Sequence, residues 1–175
     1  MARYDIDSLK HDKVMFDKIY GAKERQDGLT KIGREKYEAR YGYGEDAAGN
    51  GYNWVAQFKG RKPTVAELKT AILQLVNDAT DERILTGYEY DGKQVWLSTE
   101  NQFNYKAAYD LAVQTEGKSL PFTIKVGATE QPEYLTFETA DDFAKFYLGG
   151  LEYVQKCLAE GWAEKDGIDW TKYEL

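Results

Sequence analysis

The sequence predicts an α+β fold from residue 63 onward, on three observations. An apolar run at helical spacing follows Thr64-Val65-Ala66-Glu67, Asp91-Gly92 joins two β-prone runs, and two more such runs flank a turn-rich stretch near residue 128. The order is helix, hairpin, helix, hairpin, helix. Each element must bury its apolar face on another, so an antiparallel sheet of three or four strands backed by helices is expected. Residues 1–62 are expected as an irregular N-terminal arm of helix plus Gly/Tyr-rich loop, and 63–175 as the α+β domain.

In the arm, Ile6, Leu9, Phe16 and Tyr20 suggest a short amphipathic helix over 5–20, interrupted by Lys13. A weaker helix is expected from Gly33 to Tyr41. The segment 41–54 then holds four glycines, three tyrosines and a tryptophan. Glycine at that density is costly in a helix and leaves little to bury in a strand, so a long loop is expected.

Beyond Pro63, Thr64 and Glu67 form a capping box, and Val65, Leu68, Ile72, Leu75, Val76 and Ala79 continue a helix over 65–82. Ile84–Tyr90 and Lys93–Leu97 pair through Asp91-Gly92, because a type I′ turn needs positive φ at both central positions. Thr99-Glu100-Asn101-Gln102 reads as a second capping box. It opens a helix over 100–115 with Phe103, Ala107, Ala108 and Leu111 on one face and Tyr105 and Tyr109 on an adjoining one. Strands are expected at 121–126 and 134–138. Thr139 caps a last helix over 140–163, whose stripe of Phe143, Tyr147, Leu151, Val154, Leu158 and Trp162 is expected in the core. Gly149-Gly150 within it suggests close approach or a bend.

The 175 residues carry 23 basic and 30 acidic side chains, a net charge of −7. The charge is uneven: 1–62 has 13 Lys/Arg against 10 Asp/Glu, and 63–175 has 10 against 20. The two parts should attract each other, within a chain or between copies. So acidic a body repels phosphate backbones, and nucleic acid is not expected as a partner. No apolar run is long enough to span a bilayer, and the first residues lack a signal-peptide core, so a cytoplasmic protein without a membrane partner is expected. One histidine, His11, and one cysteine, Cys157, leave out most His-dependent sites and any Cys-based metal cage.

The segment 63–173 resembles a family of uncharacterised domains, of unknown function, found in phage and prophage proteins and often encoded near tail-fibre genes. The residues that carry the resemblance are Thr64-Val65-Ala66-Glu67-Leu68, then Arg83, Gly87 and Gly92 within 81–98, then Gln102-Phe103-Asn104-Tyr105 and Gly161-Trp162. The version is most similar to those of Bacteroidetes and their phages. The resemblance implies a tail-associated setting, with virion association as part of it. It brings no catalytic activity and no catalytic residues, and it does not reach the segment 41–54.

Candidate chemistry is sparse. Gly42-x-Gly44-x-x-Ala47 lacks the preceding strand that a dinucleotide fingerprint needs. Asp141 and Asp142 sit in the first turn of a helix, where carboxylates favour the macrodipole. Glu45 and Asp46 lack the alternating pattern of a calcium loop. Neither a metal nor an organic cofactor is expected. Tyr88, Tyr90 and Trp96 read as cross-strand aromatic pairs. Tyr41, Tyr43, Tyr52 and Trp54 are the weak candidates for binding, since Tyr and Trp among Gly and Asn have the chemistry of adaptable recognition surfaces. A non-catalytic structural or interaction protein is the expectation, with another protein or a second copy as partner, in a homo-oligomer, and carbohydrate as the lesser alternative. The competing reading is a small carboxylate-dependent hydrolase on a bacterial or phage polymer, which needs two converging carboxyl groups with displaced pKa values.

Overall fold

The computed structural model describes residues 14–175. Most of the helix expected over 5–20, with Ile6, Leu9, Lys13 and His11, lies outside the described residues. The fold is α+β, and the chain divides into two compact units: 1–75 with 167–175, and 76–166.

The first unit is built on a four-stranded antiparallel sheet in the order β1-β4-β3-β2. Its strands are β1 (Asp17–Tyr20), β2 (Gly28–Gly33), β3 (Lys36–Glu45) and β4 (Gly51–Lys59). This corrects the expected arm. Residues 17–20 are strand, not helix; the helix expected from Gly33 to Tyr41 is mostly β3; and the expected loop over 41–54 is the ends of β3 and β4 with a tight turn between them.

The physical reason lies in how the rings and glycines interlock. The Tyr52 ring lies over Gly44, where a Cβ would come within 2.6 Å of it. On the other strand, a Cβ on Gly51 would come within 2.7 Å of the Tyr43 hydroxyl. Gly42, at φ 66°, sits in the bulge between Tyr41 and Gly44. Each of these glycines is a seat or a kink, and the buried aromatic surface offsets glycine's entropic cost. Asp46 closes the turn: its Oδ1 accepts from the amides of Ala48 at 2.9 Å and Asn50 at 2.8 Å.

Register puts Leu29, Ala39 and Ala56 on one face together with Tyr41, and all four are buried. The chain returns to this unit as a 3-10 turn, Trp170–Tyr173. There Tyr173 is wholly buried, and its hydroxyl donates to the Arg40 carbonyl at 2.8 Å.

Helix α1 (Val65–Thr86) starts at the expected capping box, and extends four residues past its expected end. The Glu67 amide donates to Thr64 Oγ1 at 3.2 Å, and the Thr64 amide donates to Glu67 Oε2 at 2.8 Å. The Arg61 guanidinium adds a bidentate pair to Glu67 at 3.0 and 2.8 Å. Arg61, then the Thr64 amide, hold the Glu67 carboxyl at about 2, against an ordinary 4.5. A carboxyl depressed by folding stabilises fully above its unfolded value and stops doing so as the pH falls through its folded one. Glu67→Gln is therefore expected to cost about 1 kcal/mol at neutral pH. In paired acid titrations the gap to wild type should be complete above about pH 4.5 and close towards pH 2.

The second unit holds two hairpins rather than one sheet. Strands β5 (Tyr88–Tyr90) and β6 (Lys93–Val95) pair across Asp91 and Gly92, whose φ values of 54° and 71° are those the turn requires. Strands β7 (Phe122–Ala128) and β8 (Gln131–Phe137) form the other pair, closer-turned than expected. The single sheet of three or four strands is thus corrected for this region. With three residues each, β5 and β6 are too short to extend a ladder, and Trp96 Nε1 instead reaches the Gly127 carbonyl at 2.9 Å.

Helix α2 (Thr99–Gln114) is capped by Ser98, one residue before the expected box. Its buried face carries Tyr105 and Ala112, with Ala108 and Tyr109 partly buried, while Phe103 and Leu111 are exposed. Helix α3 (Ala140–Asp166) starts at Thr139 as expected, with Asp142 N donating to Thr139 Oγ1 at 3.2 Å.

The buried line of α3 runs through Phe143, Phe146, Gly150, Cys157 and Gly161. Trp162, expected in the core, is 58% exposed, and Leu151 is 41% exposed. Glycines set this facing. A Cβ on Gly150 would stand 3.5 Å from the Tyr88 ring, and one on Gly161 only 2.5 Å from Thr80 Oγ1. At Gly150 and Gly161 the helix turns its smallest residues to its neighbours, and Trp162 is left outside. The cluster they close is aromatic: Phe122 and Phe137 stack on Phe143 at 5.0 and 5.1 Å, and Tyr105 meets Phe146 edge-on at 5.1 Å.

Candidate functional site

The four sequence candidates fall into three environments. Tyr52 and Trp54 alternate on one face of β4 and are half-buried. Tyr41 shares that face by register with Trp54, but is 3% exposed, with the Arg25 guanidinium 4.9 Å above its ring. It belongs to the core. The bulge after Tyr41 sends Tyr43 to the opposite face, where it is 38% exposed and its hydroxyl donates to Glu45 at 2.7 Å. That hydrogen bond, with a smaller contribution from desolvation, raises the Tyr43 phenol above its ordinary value.

Two residues expected in a helix carry this face out to the exposed edge of the sheet. β1 is an edge strand, and its register sets Tyr20 opposite Tyr52 and Lys18 opposite Trp54. The rings form a ladder: Tyr20 to Tyr52 at 5.6 Å and Tyr52 to Trp54 at 5.9 Å, both edge-to-face. The Lys18 ammonium stands 4.5 Å from the Tyr52 centroid and 5.2 Å from that of Trp54. Every residue of β1 is exposed, and Tyr20 is exposed over 54% of its surface. The only sequence signal for this would have been the alternation of Lys18 and Tyr20, and four residues are too few for it to stand out.

The other face of the sheet mixes polar groups with Ile19 and the buried Val55. A cavity of about 430 Å³ is lined there by Ile19, Glu24, Gln26, Arg40 and Asn53. Asn53 is 1% exposed, and its Nδ2 donates to the carbonyls of Gly42 at 2.6 Å and Glu24 at 3.2 Å. It ties the bulge of β3 to the segment after β1. The Arg40 guanidinium is held by Glu38 at 2.7 Å and by Gln26.

Hydrogen bonds and cations hold several carboxyls below their ordinary range. Asn50 does this for Asp46, Lys145 and then Thr139 for Asp142, and Thr171 for Asp169. At Glu38 burial pushes upward, but hydrogen bonds from Arg40 and Gln57 outweigh it. These groups are fixed as anions, which suits caps and turns rather than proton donation. No helix among the described residues is long and apolar enough to cross a membrane. The aromatic ladder presents ring faces, ring edges, the Tyr20 hydroxyl and the Lys18 ammonium. Comparisons with protein-family models, with curated proteins and with solved structures found no match to this chain.

Proposed function

We propose that this chain is a non-catalytic interaction protein that meets a protein partner through the aromatic ladder on β1 and β4, in the phage- or prophage-associated, tail-related setting that the resemblance implies. The observation that carries the reading is the exposure of Tyr20 at the end of a ring series braced by Lys18 on an edge strand. Rigid aromatic side chains lose little conformational entropy on binding and bury much area, and they dominate many protein contacts.

The test is co-purification from phage-infected or prophage-induced cells, with mass spectrometry, of wild type beside a Tyr20→Ser/Tyr52→Ser variant. Loss of both rings should weaken capture of the partner by about tenfold or more. Equal capture by both proteins, or retention of wild type on glycans with no protein captured, would overturn the reading.

A further inference from the structure

The two edges of the β7–β8 hairpin differ in what they offer a third strand. Pairing is unbroken from Phe122↔Phe137 to Ala128↔Gln131. Pro132 has no N–H, so Gly127↔Pro132 is a pair without mutual hydrogen bonds. Alternation makes Lys125↔Tyr134 and Thr123↔Thr136 pairs of the same kind, and their N–H and C=O groups point outward. On β8 that outer edge is blunted by Pro132, which offers no donor. On β7 it carries Thr123, Lys125 and Gly127. Trp96 Nε1 takes the Gly127 carbonyl at 2.9 Å, as the alternation requires. The outward main-chain groups of Thr123 and Lys125 bond to nothing among the described residues.

A groove of about 470 Å³ lies along this edge. All seven residues of β7 line it, as they do along an edge, whereas one face would offer alternate residues. The other walls include Trp96 and, from α2, Asn101, Asn104 and Tyr105. Asn104 is exposed, and its amide has no partner among the described residues. Lys125 is the only charged residue that lines the groove. It too is exposed, and it joins no ion pair among the described residues.

We propose that β7 takes up an extended segment of a protein partner in this groove, as a third strand of the hairpin. The outward groups of Thr123 and Lys125 repeat every second residue, and an extended main chain matches that repeat. A helix keeps its main-chain groups for itself and cannot. The side chains of the segment follow from its neighbours. The residue opposite Lys125 is a carboxylate, because the cation is free and no acid lines the groove. The residues on either side of it turn towards the side of buried Ile124 and Val126, with the rings of Trp96 and Tyr105 in the groove wall, and are apolar. Asn104, across the groove on α2, has a donor and an acceptor for the outer edge of the new strand. The inference does not rest on the aromatic ladder, which belongs to the other unit.

The test is a phage-displayed random peptide library panned on the full chain after depletion on the Lys125→Glu variant. Selected peptides should place one acidic residue between apolar ones. A synthetic copy of one of them is then followed by residue-resolved amide exchange. Ile124 and Val126 should exchange slowly with or without it, because they already bond to β8. Thr123 and Lys125 should exchange quickly in the free protein, and about a hundredfold more slowly with peptide at about a hundred times its Kd. N-methylation of alternate peptide residues should abolish binding in one set and spare it in the other, because only one set points at β7. Lys125→Glu should weaken binding about tenfold, and a peptide with lysine in place of its acidic residue should restore it. No enrichment over the bare support, equal sensitivity to both N-methyl sets, or unchanged exchange at Thr123 and Lys125 would overturn the proposal.

Discussion

Phe143→Ala is expected to destabilise the second unit by about 3–5 kcal/mol. Phe143 has no exposed surface. Its ring stacks between Phe122 at 5.0 Å and Phe137 at 5.1 Å, and Tyr109 meets it edge-on at 6.1 Å. It thus joins α3 to the β7–β8 hairpin and to α2. Alanine leaves a void that Phe137 and Tyr109 are poorly placed to close, because Phe146 and Tyr147 hold their rings. Urea denaturation followed by circular dichroism would measure the loss. A midpoint near wild type would mean that the aromatic cluster is not the core of this unit.

Tyr173→Ala is expected to cost a similar amount, about 3–5 kcal/mol, in the first unit. Tyr173 is buried without remainder although it is the third residue from the end of the sequence. Its hydroxyl reaches the Arg40 carbonyl in the middle of β3, and its backbone segment lies close enough to β2 that a Cβ on Gly28 would stand 3.0 Å from the Lys172 carbonyl. Burial pushes its phenol well above the ordinary range, so it stays protonated and donates throughout the neutral pH range. Tyr173→Phe separates the contributions. It keeps the ring and loses one hydrogen bond to a buried acceptor, at about 1–2 kcal/mol. Equal melting of Tyr173→Ala and wild type would show that the C-terminal turn does not hold the sheet.

The sequence carried the starts of elements better than their facings. Thr64 with Glu67, Asp91-Gly92 and Thr139 act through neighbours two or three residues away, and each does in the fold what its chemistry requires. The faces of α2 and α3 were set from a distance. Phe103, Leu151 and Trp162 are the residues that a hydrophobic stripe counts, while Gly150 and Gly161 count as interruptions, yet the close approach of Tyr88 and Thr80 selects the glycine side. The same blindness hid the four-stranded sheet. Gly42, Gly44 and Gly51 argue against strand one residue at a time, and only pairing with a ring on the neighbouring strand reverses that argument. For the candidate site, Tyr52 and Trp54 were legible as an aromatic signal. Lys18 and Tyr20 were not, because an edge strand of four residues takes its form from β4 rather than from a pattern of its own.

The Gly/Tyr-rich stretch is two paired strands that present the ladder. Amide hydrogen exchange resolved by residue tests it directly. Amides of β3 and β4 that face each other across the pairing Lys36–Tyr41 with Trp54–Lys59 should exchange slowly, and protection should continue through Gly44 and Tyr52. The amide of Ala47, in the turn, should exchange quickly. Exchange of residues 41–54 at the rate of an unstructured chain would contradict both the sheet and the site built on it.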